Sequence, residues 1–180
     1  QTGWDIGEIS LPLKQYIDQL EDRELKILIP GAGNGYEAEY LFKQGFKNVY
    51  VADISKNPLK NLKNRLPNFP EEQLLHINFF EIEDSFDLIL EQTFFCALPV
   101  GSRKDYAKKS AEILNENGLL CGLLFKFPLT EQGPPFGGSK EEYLTYFSPY
   151  FKIEILETCY NSIKPRQGNE LFFKFRKKSV

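Results

Sequence analysis

Short apolar runs alternate with amphipathic stretches along the first two thirds of the chain, and the period of the pattern changes in the last third. KILIPG (26–31) reads as a buried strand closed by Pro and Gly, and residues 35–44 read as a helix ended by Gly45. KNVYVADIS (47–55) is a second strand, and Ser55 with Pro58 opens a helix that runs to about Leu66. QLLHINFF (73–80) and FDLILEQ (86–92) give a third and a fourth strand. Residues 102–115 read as a helix stopped at Asn117-Gly118, and GLLCGLLFKF (118–127) as a fifth strand, apolar on both faces as a central parallel strand must be. Upstream of the series, LKQYIDQLE (13–21) fits one helical face.

Beyond Phe127 the character changes. PLTEQGPPFGGS (128–139) is a Pro/Gly loop, and Ser139 with Glu142 makes a capping box for a short helix. FKIEILETCYNS (151–162) and NELFFKFRK (169–177) then alternate with a period near two, joined by IKPRQG, as a hairpin does. A parallel βαβ series finished by an antiparallel pair predicts an α/β fold, a three-layer αβα sandwich. No internal repeat interrupts it, and 180 residues suit one domain, 1–180.

Composition narrows the partners. A net charge of -3 with 26% charged residues gives no field directed at nucleic acid or an anionic membrane, so a small molecule is the expected partner. Three scattered cysteines, Cys96, Cys121 and Cys159, have neither metal-ligand nor disulfide-framework spacing. The apolar runs are too short to span a bilayer and no leader opens the chain, so a soluble, cytoplasmic, monomeric protein is expected. The chain has no Met, even at position 1, which implies that it starts inside the natural protein.

Gly31, Gly33 and Gly35 lie between the first strand and its helix, where open α/β sheets bind ligands. A dinucleotide fingerprint has G-x-G-x-x-G, whereas here the spacing is G-x-G-x-G and the third fingerprint position is Tyr36. The alternative ligand pairs an adenosine with an amino-acid end, as S-adenosylmethionine does, and needs no diphosphate cradle. Asp53 closes the second strand, where a carboxylate can accept both hydroxyls of a ribose. Asn78, with Phe79 and Phe80 after it, follows the third strand, and an amide beside aromatic rings can read and cover an adenine. The bland readings are a tight strand–helix junction, a turn aspartate and a turn asparagine before core phenylalanines.

GWDIG, ILIPGAGNGYEAEYL, VYVADIS, NFF, FDLILEQTFFCALP, RKDYA, LLFKFP and GPPFGGS occur in the order found in the thiopurine S-methyltransferase superfamily. They resemble most its plant-type halide/thiol methyltransferase branch, from Trp4 to about Arg176. The resemblance implies a Rossmann-like, seven-stranded, mostly parallel sheet with an antiparallel last strand, and S-adenosylmethionine as methyl donor. By the same resemblance, Trp4 would pack on the methionine end and sulfonium. Gly31 and Gly33 would underlie the amino-acid portion, Asp53 with Ile54 would hold the ribose, Asn78 and Phe79 would contact adenine, and Gln92 would touch the methionine moiety. Asn78, Gln92 and Phe136 stand where the family carries Asp, Tyr or Arg, and Tyr. The family also has a Trp-containing helix before GWDIG that this chain lacks.

The implied reaction is in-line transfer of methyl to a small thiol or other anion, which asks for alignment and exclusion of water rather than a catalytic triad. Trp4, Phe94, Phe95 and Phe136 are the candidate aromatic walls, and no metal site is expected. His76 reads as a packed strand residue and Cys96 as a small buried hydrophobe. Arg103 reads as a solvated first-turn residue that could attract an anion, and Arg166, between the last two strands, could do likewise. Two other functions fit the glycine turn: a non-catalytic S-adenosylmethionine-binding module and an NAD-dependent oxidoreductase.

Overall fold

Neighbouring residues of the central runs point to opposite faces of a strand, so runs that are apolar throughout must be covered on both sides. The computed structural model, which describes residues 5–179, shows how. Its elements are α1 (Leu11–Asp18), β1 (Lys26–Pro30), α2 (Tyr36–Lys43), β2 (Asn48–Asp53), α3 (Lys56–Arg65), β3 (Leu74–His76) and β4 (Phe86–Gln92). They continue with α4 (Arg103–Glu112), β5 (Leu114–Phe125), α5 (Lys140–Phe147), β6 (Phe151–Thr158) and β7 (Glu170–Lys177). The strands form one seven-stranded sheet in the order β3-β2-β1-β4-β5-β7-β6. β7 runs antiparallel to both β5 and β6, and the pairings among the first five strands are parallel.

On one face, Ile27, Ile29, Val49, Val51, Leu88 and Leu90 pack under Ala38 and Leu41 of α2, Leu59 and Leu62 of α3, and Leu13 and Ile17 of α1. On the other, Leu28, Ile89, Leu120, Leu124 and Phe173 pack under Tyr106 and Ala107 of α4 and Tyr143 and Phe147 of α5. This second layer is built from rings: Phe147 alone lies within 5.0–6.4 Å, centroid to centroid, of Phe95, Tyr106, Phe151, Phe173 and Phe175. The three layers and the reversed last strand are those the hydrophobic pattern predicts. No helix among the described residues is long and apolar enough to cross a membrane.

Two element boundaries differ from expectation. β3 ends at His76 instead of running through Phe80, because it is an edge strand paired only with β2. The side chain of Asn78 accepts the N–H of Phe80 at 3.0 Å and turns the chain into a single 3-10 turn at Phe79–Glu81. α4 stops at Glu112, and β5 already pairs with β4 at Leu114 before slipping register, so Asn115 to Gly118 form an irregularity within the strand. Asn117, at φ 61, supplies the left-handed backbone there.

Two side chains also differ. His76 is exposed at the end of β3, its Nε2 3.0 Å from the Ile54 carbonyl, and is not packed inside the sheet. Arg103 is fully buried rather than solvated. Its guanidinium donates to Glu142 at 2.9 Å and to the carbonyls of Phe136 and Gly137 at 3.2 and 2.8 Å, and lies 4.8 Å over the Phe95 ring. It ties α4, α5 and the Pro/Gly loop together. Ser139 caps α5 through the Glu142 N–H at 3.2 Å, as expected, and the Glu142 carboxylate is turned toward Arg103. Removing one partner of such a pair leaves a buried charge or carbonyl without its hydrogen bonds. Arg103→Ala should therefore cost about 3 kcal/mol in urea unfolding, and a loss indistinguishable from a surface substitution would contradict the strut.

Candidate active site

The sheet order reverses between β1 and β4, which opens a crevice beyond their carboxyl ends. The glycine turn fills the floor of that crevice. Gly31, Gly33 and Gly35 have φ of 73, 50 and 71, a region that L side chains rarely enter. Gly31 donates its N–H to the Ala52 carbonyl at 2.7 Å, and a Cβ on it would lie 2.6 Å from Cδ2 of Phe94. Its bareness therefore admits a ring of the protein itself. At Gly33 the opposite holds: a Cβ there would meet nothing within 4 Å, so the main chain faces open space.

Two cavities meet over Gly31. One, of about 360 Å³, is lined by Asp53, Ile54, Ile77, Asn78, Phe79 and Phe94 among others. Asp53 is fixed in it by two backbone donors, Ala32 N–H to Oδ2 at 2.9 Å and Ser55 N–H to Oδ1 at 2.8 Å. Each oxygen keeps a lone pair for a further donor. Ile54, an apolar residue of the lining, is 74% exposed. Phe79 is buried, stacked 5.1 Å from Tyr106, and forms the wall. Asn78 spends its carbonyl on the Phe80 N–H, which leaves its amide N–H groups for a ligand.

The other cavity, of about 230 Å³, is lined by Gly31, Ala32, Gly33, Asn34, Gly35, Tyr36, Gln92 and Thr93, with three carboxylates, Asp5, Glu8 and Glu37. Gln92 lines this cavity and a small neighbouring one, and its Oε1 is buried without a hydrogen-bond partner. No Lys or Arg lines either cavity among the described residues. A third cavity, of about 290 Å³, lies on the flank between α1 and the β6–β7 edge and shares none of these residues.

What shapes the crevice from below is Glu91. Its Oε1 accepts the N–H groups of Phe94 and Phe95, both at 2.8 Å, and its Oε2 accepts the Tyr106 hydroxyl at 2.7 Å. Burial pushes its carboxyl up to about 7 against the pull of these donors. The bonds hold Thr93 at φ 59, a strained conformation for a β-branched residue, and set the Phe94 ring on Gly31.

The sequence-predicted residues divide accordingly. Gly31, Gly33, Asp53, Ile54, Asn78, Phe79, Gln92 and Phe94 all line one or both cavities. Phe95 lines neither: it is fully buried against Tyr106, Tyr143 and Phe147, a core residue rather than a pocket wall. Phe136 lines neither cavity: its N–H donates to the Cys96 carbonyl at 2.8 Å and its ring lies against Gly133 in the Pro/Gly loop. Trp4 lies outside the described residues. Cys96 is a buried thiol pushed up to about 12 by burial, donating to the Thr93 carbonyl at 3.3 Å, and so is no nucleophile. Arg166 is buried, 3.4 Å from Glu170 and 5.5 Å over the Phe125 ring, and its charge is felt at both Cys96 and Glu37. Glu37 was not a sequence candidate; its signal is a carboxylate on the same buried stripe of α2 as Ala38 and Leu41.

The glycine turn, the carboxylate at the end of β2 and the crevice at the strand reversal are the parts of a class I S-adenosylmethionine-dependent methyltransferase. Similar folds include the 1,6-didemethyltoxoflavin-N1-methyltransferase of Burkholderia thailandensis, solved with S-adenosylhomocysteine (TM-score 0.75, 18% identity, 94% of this chain and 78% of that one). A TehB-like S-adenosylmethionine-dependent methyltransferase of Corynebacterium glutamicum gives a TM-score of 0.70 at 20% identity, over 92% and 87%. The family model described as Thiopurine S-methyltransferase (TPMT) matches residues 1–178, and the chain belongs to that family. Relatives include a probable thiol methyltransferase 2 of Arabidopsis thaliana, 29% identical over 99% of this chain and 81% of its own. Another is a thiocyanate methyltransferase 1 of Brassica oleracea, 26% identical over 98% and 80%.

The buried Glu91 carboxyl has a pH signature. Its folded-state value is raised, so between the unfolded value near 4.5 and about 7 the native state holds a proton that the unfolded chain has released. Its contribution to stability therefore falls as pH rises through that window and is constant above it. Glu37, raised to about 7 in the same way, adds to the slope. Thermal unfolding of Glu91→Gln from pH 5 to 8 should show a shallower decline than wild type; parallel curves would contradict the assignment.

Proposed function

We propose that the chain transfers a methyl group to a small anionic sulfur acceptor, with the donor lying across Gly31, its adenosine over Asp53 and its amino-acid end between Gly33 and Gln92. The observation that carries this placement is the charge of the second cavity. Asp5 and Glu8, with the partly protonated Glu37 and no Lys or Arg lining it among the described residues, disfavour the diphosphate of a nicotinamide dinucleotide and suit a sulfonium with an ammonium tail. S-adenosylmethionine supplies a methyl group on a cationic sulfur, which a sulfur anion can take in line while a neutral thioether departs.

Each residue then has a physical task. Asp53, already oriented by Ala32 and Ser55, accepts the ribose hydroxyls. Phe79 and Ile54 sandwich the adenine, and the amide N–H of Asn78 donates to a ring nitrogen at its edge. The Phe94 ring beside Gly31 presents its face where the cationic sulfur lies. Since the acceptor arrives as an anion, no general base is required, and catalysis rests on alignment and on a dry approach past Thr93 and Cys96. Arg166, buried and ion-paired with Glu170 at 3.4 Å, is near enough for its charge to be felt at Cys96, and that charge would favour a thiolate or hydrosulfide over its neutral acid.

Methyl transfer from labelled donor to hydrosulfide and thiophenol tests the activity, and no methylated sulfur product from any thiol would contradict it. Asp53→Ala should weaken S-adenosylhomocysteine binding ~10-fold or more in calorimetry; an unchanged affinity would remove the ribose assignment. Arg166→Gln should raise the acceptor KM ~10-fold and leave the donor KM unchanged, whereas equal changes in both would mark a structural role.

A further inference from the structure

The end of α3 grips the glycine turn from outside the crevice. A Cβ on Gly35 would lie 3.1 Å from Cδ1 of Leu62, so that glycine is bare to admit α3. On the next turn of the helix Arg65, its last residue, donates from Nη2 to the carbonyl of Asn34 and from Nε to Glu39 of α2 at 3.0 Å. Its guanidinium also lies 5.5 Å over the Tyr36 ring. Glu39 is tied in turn to Lys43 at 2.6 Å, which braces the arginine from α2.

Asn34 stands between two left-handed glycines, Gly33 at φ 50 and Gly35 at φ 71, which give its peptide little steric restraint of their own. The charge-assisted bond to its carbonyl supplies that restraint. The Asn34 side chain in turn donates from Nδ2 to Oδ2 of Asp5 at 2.6 Å, while Oδ1 of Asp5 accepts the N–H of Gly7 at 2.9 Å. Asp5, Ile6 and Glu8 line the same cavity as Gly33. Burial, and then the charge of Asp5, raise the Tyr36 hydroxyl, which sets that carboxylate beside the ring that Arg65 covers.

We propose that Arg65 is a positioning residue for the donor: by holding the Asn34 carbonyl it presents the Asn34 amide to Asp5 and latches residues 5–8 onto the cavity beside Gly33. The proposal rests on the donor placement given above and adds a residue that lines neither cavity and acts only through Asn34. Its ion pair with Glu39 is partly exposed, 35% at the arginine, and a pair of that kind adds little to stability. Loss of Arg65 therefore moves the latch before it moves the fold.

The test compares wild type with Arg65→Gln, Asn34→Ala and the double variant. In calorimetry each single variant should lose ~5-fold in S-adenosylhomocysteine affinity. The double variant should lose no more than the weaker-binding single one, because both changes cut one path. In turnover, Arg65→Gln should raise the donor KM and leave the acceptor KM unchanged. Without ligand, Glu-C protease should release residues 1–8 faster from both single variants, while cleavage after the exposed Glu21 and Glu72 keeps its wild-type rate. Losses that add in the double variant overturn the latch, as does release of residues 1–8 at the wild-type rate. Faster cleavage at all three sites also overturns it, since that marks Arg65 as structural. If S-adenosylhomocysteine does not bind the wild type, the donor placement itself fails and the proposal falls with it.

Discussion

The site depends on one carboxylate that never meets a ligand. Glu91 is the penultimate residue of β4, buried inside the protein, and its three hydrogen bonds decide where the next four residues go. They hold a threonine in left-handed backbone, lay Phe94 against the bare α-carbon of Gly31, and send Phe95 down into the aromatic layer under α4 and α5. A hydrophobic residue at 91 would take the acceptor from the part-buried Phe94 N–H, the buried Phe95 N–H and the buried Tyr106 hydroxyl, a cost above that of one ordinary hydrogen bond. The division of labour between the two phenylalanines, one facing the crevice and one the core, follows from that anchor.

A second constraint is electrostatic. The crevice floor is made of main chain with little side chain above it, so charge placed at its edges acts across a short, partly dry gap. Carboxylates line the cavity beside Gly33, and the charge of the buried Arg166, paired with Glu170, is felt at Cys96. In the proposed placement, a donor that is cationic on arrival and neutral at its sulfur after transfer would be held by the first and released more easily once its charge has moved, and an anionic acceptor would be drawn by the second.

Much of this was legible in the residue pattern because it depends on local rules. Three glycines at alternate positions announce a turn with left-handed backbone, and an acid closing the next strand falls beside it by the geometry of a parallel pair. The antiparallel end was visible in the switch to period two. What sequence could not give were outcomes of packing. Phe94 and Phe95 are adjacent and chemically alike, and only the Glu91 bonds separate their fates. Arg103 looks like any first-turn arginine until the Pro/Gly loop brings two carbonyls and Glu142 onto it. QLLHINFF reads as one strand because its apolar run is continuous, yet an edge position and the Asn78 side chain bend it after His76. Glu37 was overlooked because acids are common in first helical turns, although its place one turn before Leu41 on the buried stripe of α2 marks it.

The central claim is that a nucleoside and its amino-acid tail straddle Gly31, with the sugar on Asp53. A crystal structure of the chain with S-adenosylhomocysteine tests it most directly. The account predicts ribose oxygens within hydrogen-bonding distance of both Asp53 carboxylate oxygens and the thioether sulfur beside the Phe94 ring. A nucleoside found in the flank cavity between α1 and the β6–β7 edge, or with its tail pointing away from Gln92, would contradict it.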